Sequence, residues 1–238
     1  MKAGMGEQHR SSKTIDRPPE ESKDSASQKA SMRQLWSDQV HFTRRYIIAA
    51  LSGSPVSEVL VKALDGAVPP IATAPGVRDL VPHFGPGDAA AIRLLENVEA
   101  IGSAVTPYFG KKAGSDLTHL LRTHILIAVE LVSAARSGHI SKFKSEDERW
   151  IANADEIADL LNGLNEFWPR DDFARRLQLL LQLTKDEAVA RVTGDVDGDL
   201  RTFDRIYAEA IGIADALTNG LVQKSPQKQH DKPGGGAA

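Results

Sequence analysis

The sequence predicts an all-α protein, an antiparallel helical bundle of about five to six helices with disordered termini. Three observations lead to this fold class. The segments 108–168 and 170–225 contain no proline, a residue that costs about 3 kcal/mol inside a helix. Apolar residues recur there with helical spacing, and no alternating run indicates a strand. Short links between long amphipathic segments favour helices packed side by side.

The first half of the chain predicts a helix over 32–52, a surface excursion and a second helix over 88–106. Both helices show apolar side chains three or four positions apart, the spacing that places them on one face. The excursion, 53–87, is rich in proline and glycine, which interrupt regular structure. We expect Pro107 and Gly110 to close the second helix, because both residue types are common at helix ends.

The second half of the chain predicts four further helices with short links between them. Pro169 suits the first turn of its helix, and an Asp-Gly cluster breaks the chain before the last one. In that link we expect Gly198 to permit the turn and Asp197 or Asp199 to cap the next helix. The predicted helices cover 115–137, 142–162, 169–193 and 199–222.

Both ends of the chain predict flexible segments. Residues 1–31 are polar and charged with few large apolar groups, so burial cannot offset an ordering entropy of roughly 1–2 kcal/mol per residue. The tail, 224–238, is similarly polar and ends in Gly and Ala. We therefore expect one bundle over 32–223, with the excursion inside it.

Composition excludes several classes of protein. The 238 residues include no cysteine, which rules out a disulfide-stapled module, a zinc-thiolate finger, an iron–sulfur site and a cysteine nucleophile. A formal charge of −3 argues against a nucleic-acid partner. No uncharged apolar run approaches the length of a membrane span, and no secretory signal begins the chain, so we expect a cytoplasmic protein without a membrane partner. The basic pair Arg44-Arg45 is interpreted as part of a solvated face.

Five polar residues occupy positions where the helical pattern calls for an apolar side chain. A buried amide, imidazole or carboxylate costs several kcal/mol unless it is paired. If the bundle brings these side chains together, they form a polar interior layer that can line a site for a small molecule. The candidate ligand-binding residues, from four predicted helices, are Asn97, His124, Asn153, Thr184 and Glu187.

The same residues permit other interpretations. A neutral imidazole and a carboxylate suit iron, zinc or manganese, so His124 and Glu187 are candidate metal ligands. In a catalytic version, His124 is the general acid or base and Glu187 orients it. Structural alternatives remain for both: a satisfied core histidine, and a Glu187 side chain paired with Arg191 at i+4. Neither the Glu-x-x-His pairs of di-metal bundles nor a His-Glu-x-x-His motif occurs.

Two hypotheses from different classes follow. The first is a small-molecule or metal-binding bundle, a small molecule or a transition metal being the expected partner; its cofactor and any enzymatic activity are undefined. The second is a non-enzymatic interaction or scaffold protein that uses its arms and the excursion, and that forms a homodimer through an exposed helix face. The second hypothesis rests on the lack of any complete catalytic motif in the sequence.

Several stretches together carry a resemblance: Leu35-Trp36-Ser37-Asp38, Thr43-Arg44, Leu94-Leu95 with Asn97, Pro107-Tyr108-Phe109-Gly110, His124 to Ala128, Asn153 to Ile157, Thr184 and Glu187. They resemble an uncharacterised group of small bacterial helical-bundle proteins, some of which carry an automated glycosyltransferase label. The resemblance covers about 32–54 and 88–222, and it implies a bundle with a polar centre and no established activity. It also implies Asp-His-Val at 38–40, where this chain has Gln39 in place of the histidine.

Overall fold

A computed structural model of the protein describes residues 23–51, 86–136 and 139–224. Within these three ranges the chain contains no strand, which confirms the predicted all-α fold class. Five helices account for nearly all of the described residues: α1 Lys23–Leu51, α2 Pro86–Arg136, α3 Ile140–Leu164, α4 Arg170–Thr193 and α5 Val196–Lys224.

The five helices pack as a closed ring. Helix α1 contacts α2 on one side and α5 on the other, while α2 packs on α3, α3 on α4 and α4 on α5. Their apolar faces point into the ring and form one continuous hydrophobic core. Helices α1 and α4 also touch each other, and side chains from all five helices meet in the common core.

Helix α2 folds back on itself at Gly110, whose φ of 85° and ψ of 169° are not helical. The carboxylate of Glu99 lies 3.4 Å from the guanidinium of Arg122. Because these two residues lie on opposite sides of Gly110 and nearly equidistant from it, the arms 86–109 and 111–136 run antiparallel. Only glycine adopts a φ of this sign freely, so a glycine at this point allows the reversal.

The two arms of α2 approach closely at a pair of glycines. A Cβ atom on Gly102 would lie 2.6 Å from the carbonyl oxygen of Gly114, and one on Gly114 would lie 2.7 Å from that of Gly102. Threonines 106 and 118 pack around the same contact. No residue larger than glycine fits either position without moving the backbone of the facing arm.

The predicted end of a helix at Pro107 is wrong, because the first arm continues through it as far as residue 109. Both Pro107 and Ser103, whose carbonyl would otherwise accept a hydrogen bond from residue 107, are exposed. Water can therefore hydrogen-bond the carbonyl that proline leaves unpaired, which reduces the cost near a helix end. The second arm likewise begins at 111 rather than at 115.

The predicted boundary of the N-terminal arm at residue 31 is also wrong, because α1 begins at Lys23. Ser25 is buried, and Arg33 donates two hydrogen bonds of 2.6 and 2.7 Å to Asp215 of α5. Once a helix is nucleated, each added residue contributes a backbone hydrogen bond, so a polar stretch can extend it. Composition alone therefore underestimated the length of α1.

Two adjacent residues, Gly194 and Asp195, end α4 and begin α5. Gly194 has a φ of 74° and ends α4 in the left-handed conformation. The side chain of Asp195 accepts a 2.9 Å hydrogen bond from the backbone N–H of Gly198. Asp195 is thus the residue that caps α5, in place of the expected Asp197 or Asp199.

Most of the predicted excursion and of both predicted terminal arms lies outside the described residues, and the predictions for them stay predictions. Within the ranges that the structure describes, one segment, Ala89–Ala135, is long and apolar enough to cross a membrane, although it contains the reversal at Gly110. This is weak evidence for a span, because the core helix of a water-soluble protein passes the same test. The predicted cytoplasmic location likewise stays a prediction.

Candidate functional site

A cavity of about 240 Å³ lies among the five helices and reaches the surface on one side, where the exposed residues Ala135 and Val189 line it. All five helices contribute to its wall, and most of the lining side chains are aliphatic or aromatic, among them Val40, Ile47, Leu94, Ile125, Leu181 and Ile206. An engineered apolar cavity of about 150 Å³ in another protein binds benzene. The volume here is therefore sufficient for a small organic molecule.

A few polar side chains interrupt this apolar wall. Those that make defined hydrogen bonds are Gln39, Thr43, His124, Thr184 and Lys185. Two of them, His124 and Thr184, are among the five candidates predicted from the sequence. Helices α1, α2 and α4 supply these groups, so each comes to the wall through the packing of the ring.

The imidazole of His124 is held by the side-chain amide of Asn153. Nδ1 of His124 lies 2.8 Å from Oδ1 of Asn153, and Nδ2 of Asn153 donates to the carbonyl oxygen of Leu120 at 3.3 Å. The second bond orients the amide, so its oxygen faces the ring and Nδ1 must carry the proton. Nε2 of His124 is then an unprotonated nitrogen with a free lone pair.

The His124 ring stays neutral because of where it lies. Apolar side chains surround it, and the indole of Trp150 packs against it with ring centroids 5.3 Å apart. Burial lowers the pKa of His124 to about 4, although the hydrogen bond to Asn153 opposes this shift. At neutral pH the wall therefore presents an uncharged hydrogen-bond acceptor at this position.

Asn97 performs a similar supporting role for Gln39. Nδ2 of Asn97 donates to the backbone carbonyl of Leu35 and to Oε1 of Gln39, both at 2.9 Å. Since Oε1 of Gln39 accepts this bond, its amide NH₂ group is the donor that the side chain has left to offer. Asn97 and Asn153 thus hold the polar groups of the wall rather than forming the wall themselves.

The two threonines of the wall use their hydroxyl protons within their own helices. Thr43 donates to the carbonyl of Gln39 and Thr184 to the carbonyl of Leu180, both at 2.8 Å. Each hydroxyl oxygen keeps its lone pairs, so both threonines can act as acceptors toward the cavity.

Lys185 brings the one charged side chain to the cavity wall among the described residues. Its ammonium group donates to Oδ1 of Asp147 on α3 at 2.7 Å. This ion pair neutralises the lysine, so the wall offers no uncompensated positive charge to an anionic ligand.

Glu187, the remaining candidate, belongs to a different group of side chains, which we call the Arg44 cluster: Arg44, Glu187, Arg191 and Asp199. The Arg44 guanidinium bonds both oxygens of Asp199, at 2.9 and 3.0 Å, and also contacts Glu187. Arg191 donates to Asp199 at 2.6 Å. The structure thus corrects the interpretation of Arg44 as solvated, because its side chain is only 15% exposed.

Charges within the Arg44 cluster balance, two positive against two negative. The pKa of Glu187 is raised, because its burial outweighs the charge and the hydrogen bond of Arg44, which lower it. The oriented pair expected for catalysis, Glu187 with His124, is absent from the hydrogen bonds of the described residues. Asn153 takes the orienting position on His124 instead.

The described residues do not bring metal-binding side chains together. Across residues 23–51, 86–136 and 139–224, no group of three or more His, Asp or Glu side chains could hold one. His124 and Glu187 have separate partners, and Glu187 does not line the cavity. The metal role of these two residues stays a prediction that the geometry does not support.

Sequence reasoning missed two important residues, Gln39 and Arg44, both on α1. Arg44 follows Val40 by four positions, so it falls on the buried face of the helix, and this spacing was an available signal. Gln39 precedes Val40 and flanks the apolar stripe, which gave no indication of its bond to Asn97.

The fold and the site define a helical-bundle protein with an apolar cavity among its helices. Comparison of the chain with protein-family models, curated proteins and solved structures found no match to any of them. The resemblance to a bacterial group of helical proteins therefore stays a prediction, and function must be inferred from the site.

Proposed function

We propose that this protein binds a small, largely apolar molecule in the cavity among its five helices. The observation that carries the proposal is the cavity itself, about 240 Å³ in volume and bounded by all five helices. Scaling from benzene in about 150 Å³ gives a ligand of roughly ten non-hydrogen atoms.

The free-energy cost of an empty cavity favours binding of a ligand in it. Cavities in protein interiors cost stability, by about 24 cal/mol for each Å³ in mutant series. A matching ligand restores the lost dispersion contacts and removes apolar surface from water, at about 25 cal/mol per Å². The few oriented polar groups then provide selectivity, as is typical of small-molecule sites.

The other hypotheses have less support. A metal at His124 and Glu187 would need two side chains that are engaged separately, one by Asn153 and the other by Arg44. A scaffold function would use the arms and the excursion, most of which lies outside the described residues. We retain the small-molecule function for this reason.

Binding of 2-methylnaphthalene, a bicyclic hydrocarbon of suitable size, tests the proposal. We expect saturable binding by the full chain and a rise in its melting temperature on addition of the hydrocarbon. The Ala128→Phe substitution places a ring in the cavity, because Ala128 lines it. This variant should lose binding.

A matched control is Ala152→Phe on the exposed face of α3, which should bind as the parent does. Circular dichroism would verify that both variants remain helical. Absence of saturable binding by the parent chain, or equal binding by the Ala128 variant, would contradict the proposal.

A further inference from the structure

Resting on the proposed function, we infer that the ligand of the cavity carries a neutral hydroxyl group, as an alcohol or phenol does, and donates its hydrogen to Nε2 of His124. The ligand class follows from three features of the wall: one free acceptor of fixed orientation, two supporting acceptors and no free charge. Each feature excludes a competing class of ligand.

The first feature is the unprotonated ring nitrogen of His124. Asn153 fixes the ring tautomer through the 2.8 Å bond to Nδ1, and Nε2 has no hydrogen-bond partner among the described residues. A buried acceptor left without a donor costs about 1–3 kcal/mol. A pure hydrocarbon filling the cavity would cover this nitrogen and incur that cost, whereas an O–H group pairs with it.

The second feature is that the wall is rich in acceptors. The hydroxyl groups of Thr43 and Thr184 both donate to backbone carbonyl oxygens, so toward the cavity their oxygens can only accept. The indole nitrogens of Trp36 and Trp150 are unpartnered donors, but both are fully enclosed by protein and are not accessible from the cavity. The amide NH₂ of Gln39 is a free donor on the same wall, and it can donate to the oxygen of a hydroxyl group. A ligand group that both donates and accepts, as a hydroxyl does, therefore fits better than one that can only accept.

The third feature is electrical neutrality. Lys185 is paired with Asp147, and the pKa of His124 keeps its ring uncharged. A carboxylate ligand would enter an apolar cavity without a free cation to pair with, at a cost of several kcal/mol. A neutral alcohol or phenol avoids this penalty.

The test compares 2-naphthol with 2-methylnaphthalene, which differ by a hydroxyl group in place of a methyl group. We expect the parent chain to bind 2-naphthol at least about tenfold more tightly, the equivalent of one good hydrogen bond. The double variant His124→Leu with Asn153→Leu removes the acceptor and its support together. In this variant the preference should disappear or reverse.

His119→Leu is the matched control, because His119 is exposed on the same arm of α2. This variant should keep the parent preference. A preference that is unchanged in the double variant would overturn the inference while leaving the proposed function intact. If neither naphthalene derivative binds the parent chain, both the inference and the proposed function fail.

Nitrogen-15 NMR of the parent chain gives a second readout that needs no variant. Addition of 2-naphthol should shift the Nε2 resonance of His124 in the direction of a newly accepted hydrogen bond, whereas 2-methylnaphthalene should not. An unchanged Nε2 resonance at saturating 2-naphthol would overturn the inference, even if the double variant did not fold.

Discussion

Nδ1 of His124 on α2 donates a 2.8 Å hydrogen bond to Oδ1 of Asn153 on α3. The sequence placed both residues in apolar stripes, and their pairing explains how two polar groups are tolerated there. The bond also determines what His124 can do, because it leaves Nε2 unprotonated at the wall of the cavity. The site therefore depends on a contact between two helices.

The free energy of unfolding should decrease as the pH is lowered through the range in which His124 takes up a proton. Its pKa is near 6.5 when unfolded and about 4 in the fold, so between these values the unfolded chain binds more protons. This contribution to the free energy of unfolding is complete above pH 6.5 and is lost as the pH falls toward 4. The loss amounts to about 2 kcal/mol at pH 5.

Urea denaturation at pH 7 and pH 5 measures this loss. The variant His124→Leu with Asn153→Leu retains every other titrating group, including Glu187 and the Lys185–Asp147 pair, so the difference between the two proteins isolates His124. Equal losses of stability in the parent and the variant would show that His124 does not titrate in this way.

Arg44→Ala should destabilise the protein by about 3–5 kcal/mol. The change leaves the carboxylates of Glu187 and Asp199 buried with only Arg191 to compensate them. It also removes the guanidinium from the Phe203 ring, whose centroid lies 4.4 Å away. Chemical denaturation provides the measurement.

Arg45→Ala is the matched control, since Arg45 is exposed and adjacent in sequence. We expect a change within about 0.5 kcal/mol for this surface substitution. Similar effects of the two substitutions would mean that the Arg44 cluster does not stabilise the fold.

Gly114→Ala should cost about 1–3 kcal/mol, because the added methyl group would lie 2.7 Å from the carbonyl oxygen of Gly102 in the opposite arm. Gly163→Ala in α3 meets no atom within 4 Å. It should stabilise the protein by up to about 1 kcal/mol through helix propensity. Opposite shifts of the two melting temperatures are expected, and a loss of equal size in both would refute the close approach of the arms.

Ala188→Leu should raise stability by about 1–2 kcal/mol while weakening binding of 2-methylnaphthalene. The longer side chain extends from α4 into the cavity and buries further methylene groups there. The control is Ala208→Leu at an exposed position of α5, which should leave binding unchanged. If Ala188→Leu destabilised the protein and left binding unchanged, residue 188 would not face the cavity.

The sequence by itself determined the all-α class and most of the chain reversals. Proline-free amphipathic stretches predicted the helices, and Gly110, which was expected to close a helix, adopts a positive φ angle where the two arms of α2 meet. The five polar residues were visible as well, because each interrupts a periodic apolar pattern. These signals are local, within a turn or two of helix, and periodicity reports them directly.

Tertiary structure alone decided what those polar residues do. Periodicity shows which face of a helix is buried, but it does not report the rotation and height of that helix against its neighbours. Glu187 therefore pairs with Arg44, 143 residues away, while Asn97 and Asn153 support Gln39 and His124. The cavity itself arises from the closure of five helices into a ring, a property that no single segment encodes.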